Sequence, residues 1–189
     1  CNLIMVKVLD RKGNGYSSDV LAGISWVLER KEQLGIRILN ISVGACSKRG
    51  MSENSALVKG VNRAWDAGLV VVVAAGNNGP RTMSITTPGI SRKVITVGCS
   101  DDDREVLVGG NRMVDYSGRG PTAACICKPD LVAPGCSVVS CSSRADKYTI
   151  KSGTSMSTPI VSGAVALLLE RFPDMSNKDV KLRLRESSV

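Results

Sequence analysis

Residues 69–75 read Leu-Val-Val-Val-Val-Ala-Ala and carry no polar side chain. Successive side chains of a strand point to opposite faces, so a strand without polar positions needs cover on both. That is the condition of a strand inside a parallel sheet. The run stops at Gly76-Asn77-Asn78-Gly79, a turn sequence. Further strands are expected at Arg37–Val43 and Lys93–Cys99. Between them lie segments of helical spacing. One starts at Ser17 or Ser18 and has Val20, Leu21, Ile24, Val27 and Leu28 on one face. Another starts at Ser52, carries Leu57, Val58, Val61, Ala64 and Trp65, and ends at Gly68, where a helix-terminating glycine belongs. Strands alternating with such helices predict an α/β class with a mainly parallel sheet.

The remaining text fits this frame. Leu3–Leu9 reads as a strand, followed by the turn Asp10–Gly15. Strand, Gly13-x-Gly15 and helix invite a dinucleotide site, but the third glycine position holds Ser18 and no acidic ribose partner follows a second strand. Asp101-Asp102-Asp103 is expected to be a solvated turn, since it opens no calcium-loop pattern. Arg112–Tyr116 and Cys136–Ser142 are expected to be short strands around a loop carrying Pro121, Pro129 and Pro134. Ser176-Asn177-Lys178-Asp179 opens a last helix through about Glu186. No repeat, linker or low-complexity segment divides residues 1–189, so a single domain is expected.

Aromatic residues make up only 3% of the chain, so Val, Ile, Leu and Ala must build its core. The formal net charge is +8, but the basic residues are scattered rather than interleaved with aromatics, and no nucleic-acid partner is expected. No apolar run reaches membrane-span length, because Ser162 and Gly163 cut the one that starts at Ile160. The seven cysteines, Cys1, Cys46, Cys99, Cys125, Cys127, Cys136 and Cys141, form no Cys-x-x-Cys. With no histidine, mixed Cys/His zinc sites are excluded, and no metal ligands are assigned. The cysteines read as reduced, mostly buried small side chains of a cytoplasmic protein, with a Cys136–Cys141 disulfide as the alternative.

Lys151-Ser152-Gly153-Thr154-Ser155-Met156-Ser157-Thr158-Pro159 carries the chemistry. It runs into Ile160–Leu169, apolar nearly all round, which predicts a helix buried in the core with Pro159 in its first turn. Ser155 then lies at the helix N-terminus, where N–H groups and the dipole favour developing negative charge. Such a hydroxyl can be a nucleophile, with its own N–H as an oxyanion donor. The bland alternative makes Ser155, Ser157 and Thr158 helix caps. The Gly-x-Ser-x-Gly elbow is ruled out, because position 157 is Ser. Asn77 taken alone is an Asx-turn residue.

Gly153-Thr154-Ser155-Met156-Ser157-Thr158-Pro159 resembles the serine motif of the subtilisin-like serine proteases, the S8 peptidases. Val71–Gly79 resembles that family's oxyanion segment, and Asn40-Ile41-Ser42-Val43-Gly44 its substrate-binding strand. The motifs stand in the family's order, and Tyr116–Pro121 and Lys128–Gly135 are similar to the bacterial intracellular type. The resemblance implies a three-layer subtilisin-like fold and a serine endopeptidase with Ser155 as nucleophile and Asn77 as side-chain oxyanion donor. It places Gly13, Asn14 and Gly15 along one side of a bound peptide and Ser42, Val43 and Gly44 along the other. Ala74, Ala75, Gly76 and Thr154 complete the substrate-binding set, with a roomy apolar primary pocket. It requires no cofactor. The family often binds calcium, but its strongest site lies in sequence not found here, and Asp130 touches at most a weaker one.

A Ser-His-Asp enzyme needs an imidazole, and this chain has no histidine. In the family the Asp and His motifs precede the segment that Cys1–Leu9 resembles. The chain is therefore similar to roughly the C-terminal two thirds of the catalytic domain, with the N-terminal part missing, and is expected to be inactive alone. The alternative is a non-catalytic pseudoprotease or peptide-binding relative. A sheet lacking its N-terminal part is expected to expose strand edges and apolar surface and to self-associate through them.

Overall fold

The computed structural model describes residues 1–45, 52–142 and 147–188, which leaves Cys46 outside the described residues. In chain order the elements are α1 (Ser17–Arg30), β1 (Ile38–Ile41), α2 (Ala56–Asp66), β2 (Val70–Ala74), β3 (Ile95–Cys99), β4 (Val106–Val108) and β5 (Asn111–Met113). Then follow β6 (Leu131–Ala133), β7 (Val138–Cys141), β8 (Tyr148–Lys151), α3 (Thr154–Arg171) and α4 (Asn177–Glu186). The main sheet is four-stranded and parallel, in the order β1-β2-β3-β6. β2 is buried at every residue, as its composition requires. Its Val72 sits beside Asn40 of β1 and Ile95 of β3. α3 packs along β1, β2, β3 and β6, and α2 and α4 pack on β2. Val61, Ala64, Val71, Val73, Val97 and Val165 belong to one continuous apolar core.

Local signals explain several boundaries. The Ser55 hydroxyl accepts from Val58 N at 3.3 Å, so Ser55, rather than Ser52, caps α2. Gly68 ends the same helix at φ +90°, a conformation suited to glycine. The Ser176 hydroxyl accepts from Asp179 N at 3.2 Å and caps α4 as its motif predicts.

The structure corrects four expectations. Leu3–Leu9 forms no strand. A strand exists only through ladder partners, and here Leu3 and Met5 stand 85% and 91% exposed. α3 is not buried all round. Val161, Val165 and Leu169 enter the core, while Ile160, Gly163, Ala164 and Leu167 face outward. Pro159 lies in the second turn of α3 rather than the first, so the carbonyl of Ser155 loses the N–H that would otherwise bond it. The three aspartates are not a solvated turn, for only Asp103 is exposed. Asp102 is buried and accepts from Ser117 N at 2.7 Å, and Asp101 accepts from Gly135 N at 2.7 Å and Cys136 N at 3.1 Å. These carboxylates fasten loops distant in sequence by satisfying their backbone donors.

Asp130 has a comparable role. One of its carboxylate oxygens pairs with the Lys128 ammonium and the other with Lys181 Nζ at 3.0 Å. Lys181 Nζ also donates to the carbonyls of Arg92 (3.2 Å), Lys93 (3.1 Å) and Val94 (2.9 Å). Burial pushes the Lys128 ammonium down to about 8, with the Asp130 carboxylate opposing that shift.

Candidate active site

β1, β2 and α3 deliver their ends to one place. Parallel strands present their carboxyl ends on a common side, and loops leaving that side are where such folds build sites. Ser42 follows β1, Gly76 and Asn77 follow β2, and α3 begins at Thr154.

Thr154 is the hub. It is fully buried, and its hydroxyl donates to Asn77 Oδ1 at 3.0 Å and accepts from Gly76 N at 3.1 Å. Its own N–H also reaches Asn77 Oδ1, at 3.0 Å. An amide whose oxygen is held by two donors presents its NH₂ in a fixed direction. Asn77 Nδ2 lies against Gly153, 3.2 Å from where a Cβ would stand. Gly153 caps α3 with φ +138°, a backbone that side-chain-bearing residues avoid. Asn77 is therefore fixed in place by Thr154, not by the Asx turn that its sequence alone suggests.

Ser155 occupies the first turn of α3 and is half-buried. Its hydroxyl donates to the carbonyl of Ser42 at 2.8 Å. Gly153 is the N-cap, so Ser155 does not have the capping role. Thr158 does not cap either, since its hydroxyl bonds back to the Thr154 carbonyl at 2.7 Å. Ser157 Oγ is buried and, among the described residues, has no hydrogen-bond partner.

The wall beside this cluster differs from the roomy pocket the sequence implies. A Cβ on Gly44 would come within 2.5 Å of Thr86 Oγ1, and one on Gly76 within 2.4 Å of Thr86 Cγ2. One threonine side chain thus fills the space next to both glycines. It is held there by Thr86 N and Oγ1 donating to the Ala75 carbonyl, at 2.8 and 3.3 Å. Ala74 and Ala75 are buried at the end of β2, and Val43 packs against the main core. Sequence reasoning missed Thr86. Its position depends on a bond to Ala75, eleven residues away, which no local pattern encodes.

Gly13, Asn14 and Gly15 belong to a turn that precedes α1. Asn14 N donates to Asp10 Oδ1 at 2.9 Å and Asn14 O accepts from Asp10 N at 2.7 Å, so both backbone groups of Asn14 are used within the turn. Asn14 and Gly15 line a cavity of about 770 Å³ between residues 6–10 and α1.

A family profile for the Subtilase family matches residues 1–188. The chain belongs to the subtilase family. Serine protease AprX of Bacillus subtilis (strain 168) is 39% identical to this subtilase over 204 residues, an alignment covering 99% of this chain and 46% of AprX. Subtilisin DY of Bacillus licheniformis is 34% identical over 190 residues, covering 100% of this chain and 61% of that protein. The solved structure of sphericase superposes with a TM-score of 0.77 at 33% identity, over 96% of this chain and 58% of sphericase. This subtilase sequence spans about half the length of the curated relatives it matches. The α/β fold with its mainly parallel sheet is the subtilisin-like one that the motifs imply.

Proposed function

We propose that this chain supplies the nucleophile and the oxyanion donors of a serine endopeptidase, and that the general base comes from polypeptide outside these residues. The observation that carries this reading is the Thr154–Asn77–Gly76 lock, set directly beside Ser155. In the reaction, Ser155 Oγ attacks the peptide carbonyl. A histidine held by an acid takes its proton and later returns it to the leaving amine. Asn77 Nδ2 and the Ser155 N–H receive the charge on the carbonyl oxygen, and the position of Ser155 at a helix N-terminus favours that charge. Water then releases the acyl group from Ser155 by the reverse sequence. No step in this scheme needs a cofactor.

The free chain is therefore a poor nucleophile. Its Ser155 proton is directed to the Ser42 carbonyl, a group that cannot act as a base at neutral pH. Loss of the histidine alone costs about 10⁶ in turnover, a figure established on subtilisin itself. The test is a fluorophosphonate probe, read by mass spectrometry of the Ser155 peptide. We expect negligible labelling of the chain alone and rapid labelling once it is combined with a histidine-bearing N-terminal segment of a relative such as AprX. Strong labelling of the chain alone overturns the need for an outside base. Absence of labelling in the complemented protein, with peptide binding retained, favours a non-catalytic peptide-binding relative.

A further inference from the structure

Away from Ser155, two cysteines, an aspartate and a tyrosine converge. Cys99 ends β3, Asp101 follows it, Tyr116 lies in the loop after β5, and Cys136 precedes β7. Tyr116 Oη is 3.2 Å from Cys99 Sγ and 3.2 Å from Cys136 Sγ. Cys99 Sγ donates to Asp101 Oδ1 at 3.1 Å. The ligand atoms of Cys99, Asp101 and Cys136 all lie within 4.8 Å of one another.

We infer that Cys99, Asp101 and Cys136, with Tyr116 as fourth donor, form a binding site for a thiophilic divalent cation of the zinc class. Three features carry the inference. The donor set fits, since zinc takes thiolates and carboxylates in tetrahedral sites, and the Tyr116 phenol oxygen stands 3.2 Å from each sulfur at the remaining position. The spacing is compatible too. Zinc bonds of about 2.3 Å to sulfur and about 2.0 Å to oxygen set tetrahedral donors about 3.5–3.8 Å apart. The Cys99–Asp101 distance of 3.1 Å and the two sulfur–Tyr116 distances of 3.2 Å lie a few tenths of an ångström below that, and the ligand atoms of Cys99, Asp101 and Cys136 stay within 4.8 Å of one another. Finally, the ligands are already oriented by neighbours. Asp101 Oδ1 is held by Gly135 N and Cys136 N, and Tyr116 Oη donates to the Gly135 carbonyl at 3.2 Å.

Entry is open from one side. Cys99 and Tyr116 are buried, whereas Asp101 and Cys136 are half-exposed. The exchange balances as one cation in and two thiol protons out, with the Cys99 S–H to Asp101 bond replaced by a cation bridging sulfur and oxygen. The site also reaches toward α3, because the Gly135 carbonyl accepts from Gly153 N at 2.9 Å. A filled site would brace the turn that caps the Ser155 helix.

The test uses the full chain and cadmium ion, with zinc as the second probe. Metal content after gel filtration and the cadmium–thiolate charge-transfer absorption are read together with alkylation of each cysteine by mass spectrometry. We expect an equimolar amount of cadmium, the charge-transfer band, and protection of Cys136 from alkylation. Cys125→Ser with Cys127→Ser should leave all three unchanged, since both cysteines are exposed. Cys136→Ser and Cys99→Ser should abolish the band, and Tyr116→Phe should weaken retention at least tenfold. Cys136 protection in the unmutated chain needs no variant to fold. No retained metal, retained metal with Cys136 still alkylated, or a Cys99–Cys136 disulfide formed in place of metal binding would each overturn the assignment. None of these readouts depends on peptidase activity.

Discussion

Asn77 and Thr154 are joined through one oxygen: Asn77 Oδ1 accepts both the N–H and the hydroxyl of Thr154, each at 3.0 Å. The same hydroxyl accepts from Gly76 N. The end of β2 and the start of α3 are thus one hydrogen-bonded unit, and among the described residues its amide NH₂ remains a free donor.

Thr154→Val keeps the shape and removes both hydroxyl bonds. The Gly76 N–H is then left without its acceptor in a half-buried place, at a cost of about 1 kcal/mol, the low end of the penalty for an unsatisfied donor. Urea denaturation should show that loss, and Thr154→Ser should recover most of it. Equal stability of the valine variant would mean that the lock contributes nothing.

Asn77→Asp separates anchoring from donation. The carboxylate still accepts from Thr154 but cannot donate to an oxyanion. In a complete protease carrying this chain we expect turnover to fall about 10²–10³-fold, the magnitude known for the corresponding donor of subtilisin. KM should change little, since the donor acts on charge that develops in the transition state. A fall in KM-linked binding with unchanged turnover would remove Asn77 from that role.

Thr86→Gly should widen the site beside Gly44 and Gly76. Each methylene accommodated in an apolar pocket is worth about 1–3 kcal/mol in discrimination. The ratio of kcat/KM for a phenylalanine over an alanine P1 peptide should therefore rise about tenfold or more. An unchanged ratio would show that Thr86 does not limit the pocket.

Alkaline stability contains two opposed contributions. Lys128 is pushed down to about 8 from an ordinary 10.5, so between those values the unfolded chain binds more protons than the folded one. That contribution makes stability rise with pH across the window. The Cys99 thiol is pushed up to about 12 from 9.0, mainly by burial, with the Tyr116 hydrogen bond opposing. Its contribution is complete below pH 9.0 and is lost as pH climbs toward about 12. Denaturation midpoints of Lys128→Met against the parent chain should lose the rising component between pH 8 and 10.5, and Cys99→Ala should lose the falling one. Parallel pH profiles for parent and variants would contradict both assignments.

What the sequence displayed was what single segments encode. β2 was legible because seven apolar residues in a row leave few alternatives, and Gly68 and Ser176 because a helix end has a local chemistry. The Ser155 motif was legible as text, and the structure brings Ser42, Gly76, Asn77 and Thr154 to it. The rest depends on distant partners. Asp101 and Asp102 looked solvated because the N–H groups of Gly135, Cys136 and Ser117 that they serve lie far along the chain. β6 and the hairpins β4–β5 and β7–β8 have strands of three or four residues, too short for a periodicity to declare itself, so β4, β6 and β8 went unseen. The cysteines read as mostly buried from the sequence, but among those described Cys99 alone is buried, Cys136 is half-exposed, and Cys1, Cys125, Cys127 and Cys141 are exposed. Cys136 and Cys141 are both free, so the alternative disulfide is not formed.

The oxygens gathered around Lys181 have the arrangement of an ion's coordination sphere: three carbonyls and a carboxylate around one positive charge. An ion in such a place leaves on dilution and is stripped by chelators. A charge carried on α4 does neither, because its tether keeps its local concentration high whatever the bulk solution contains. The joint between α4 and the loop leading into β3 can open and reclose, but its cation is never lost to the bulk.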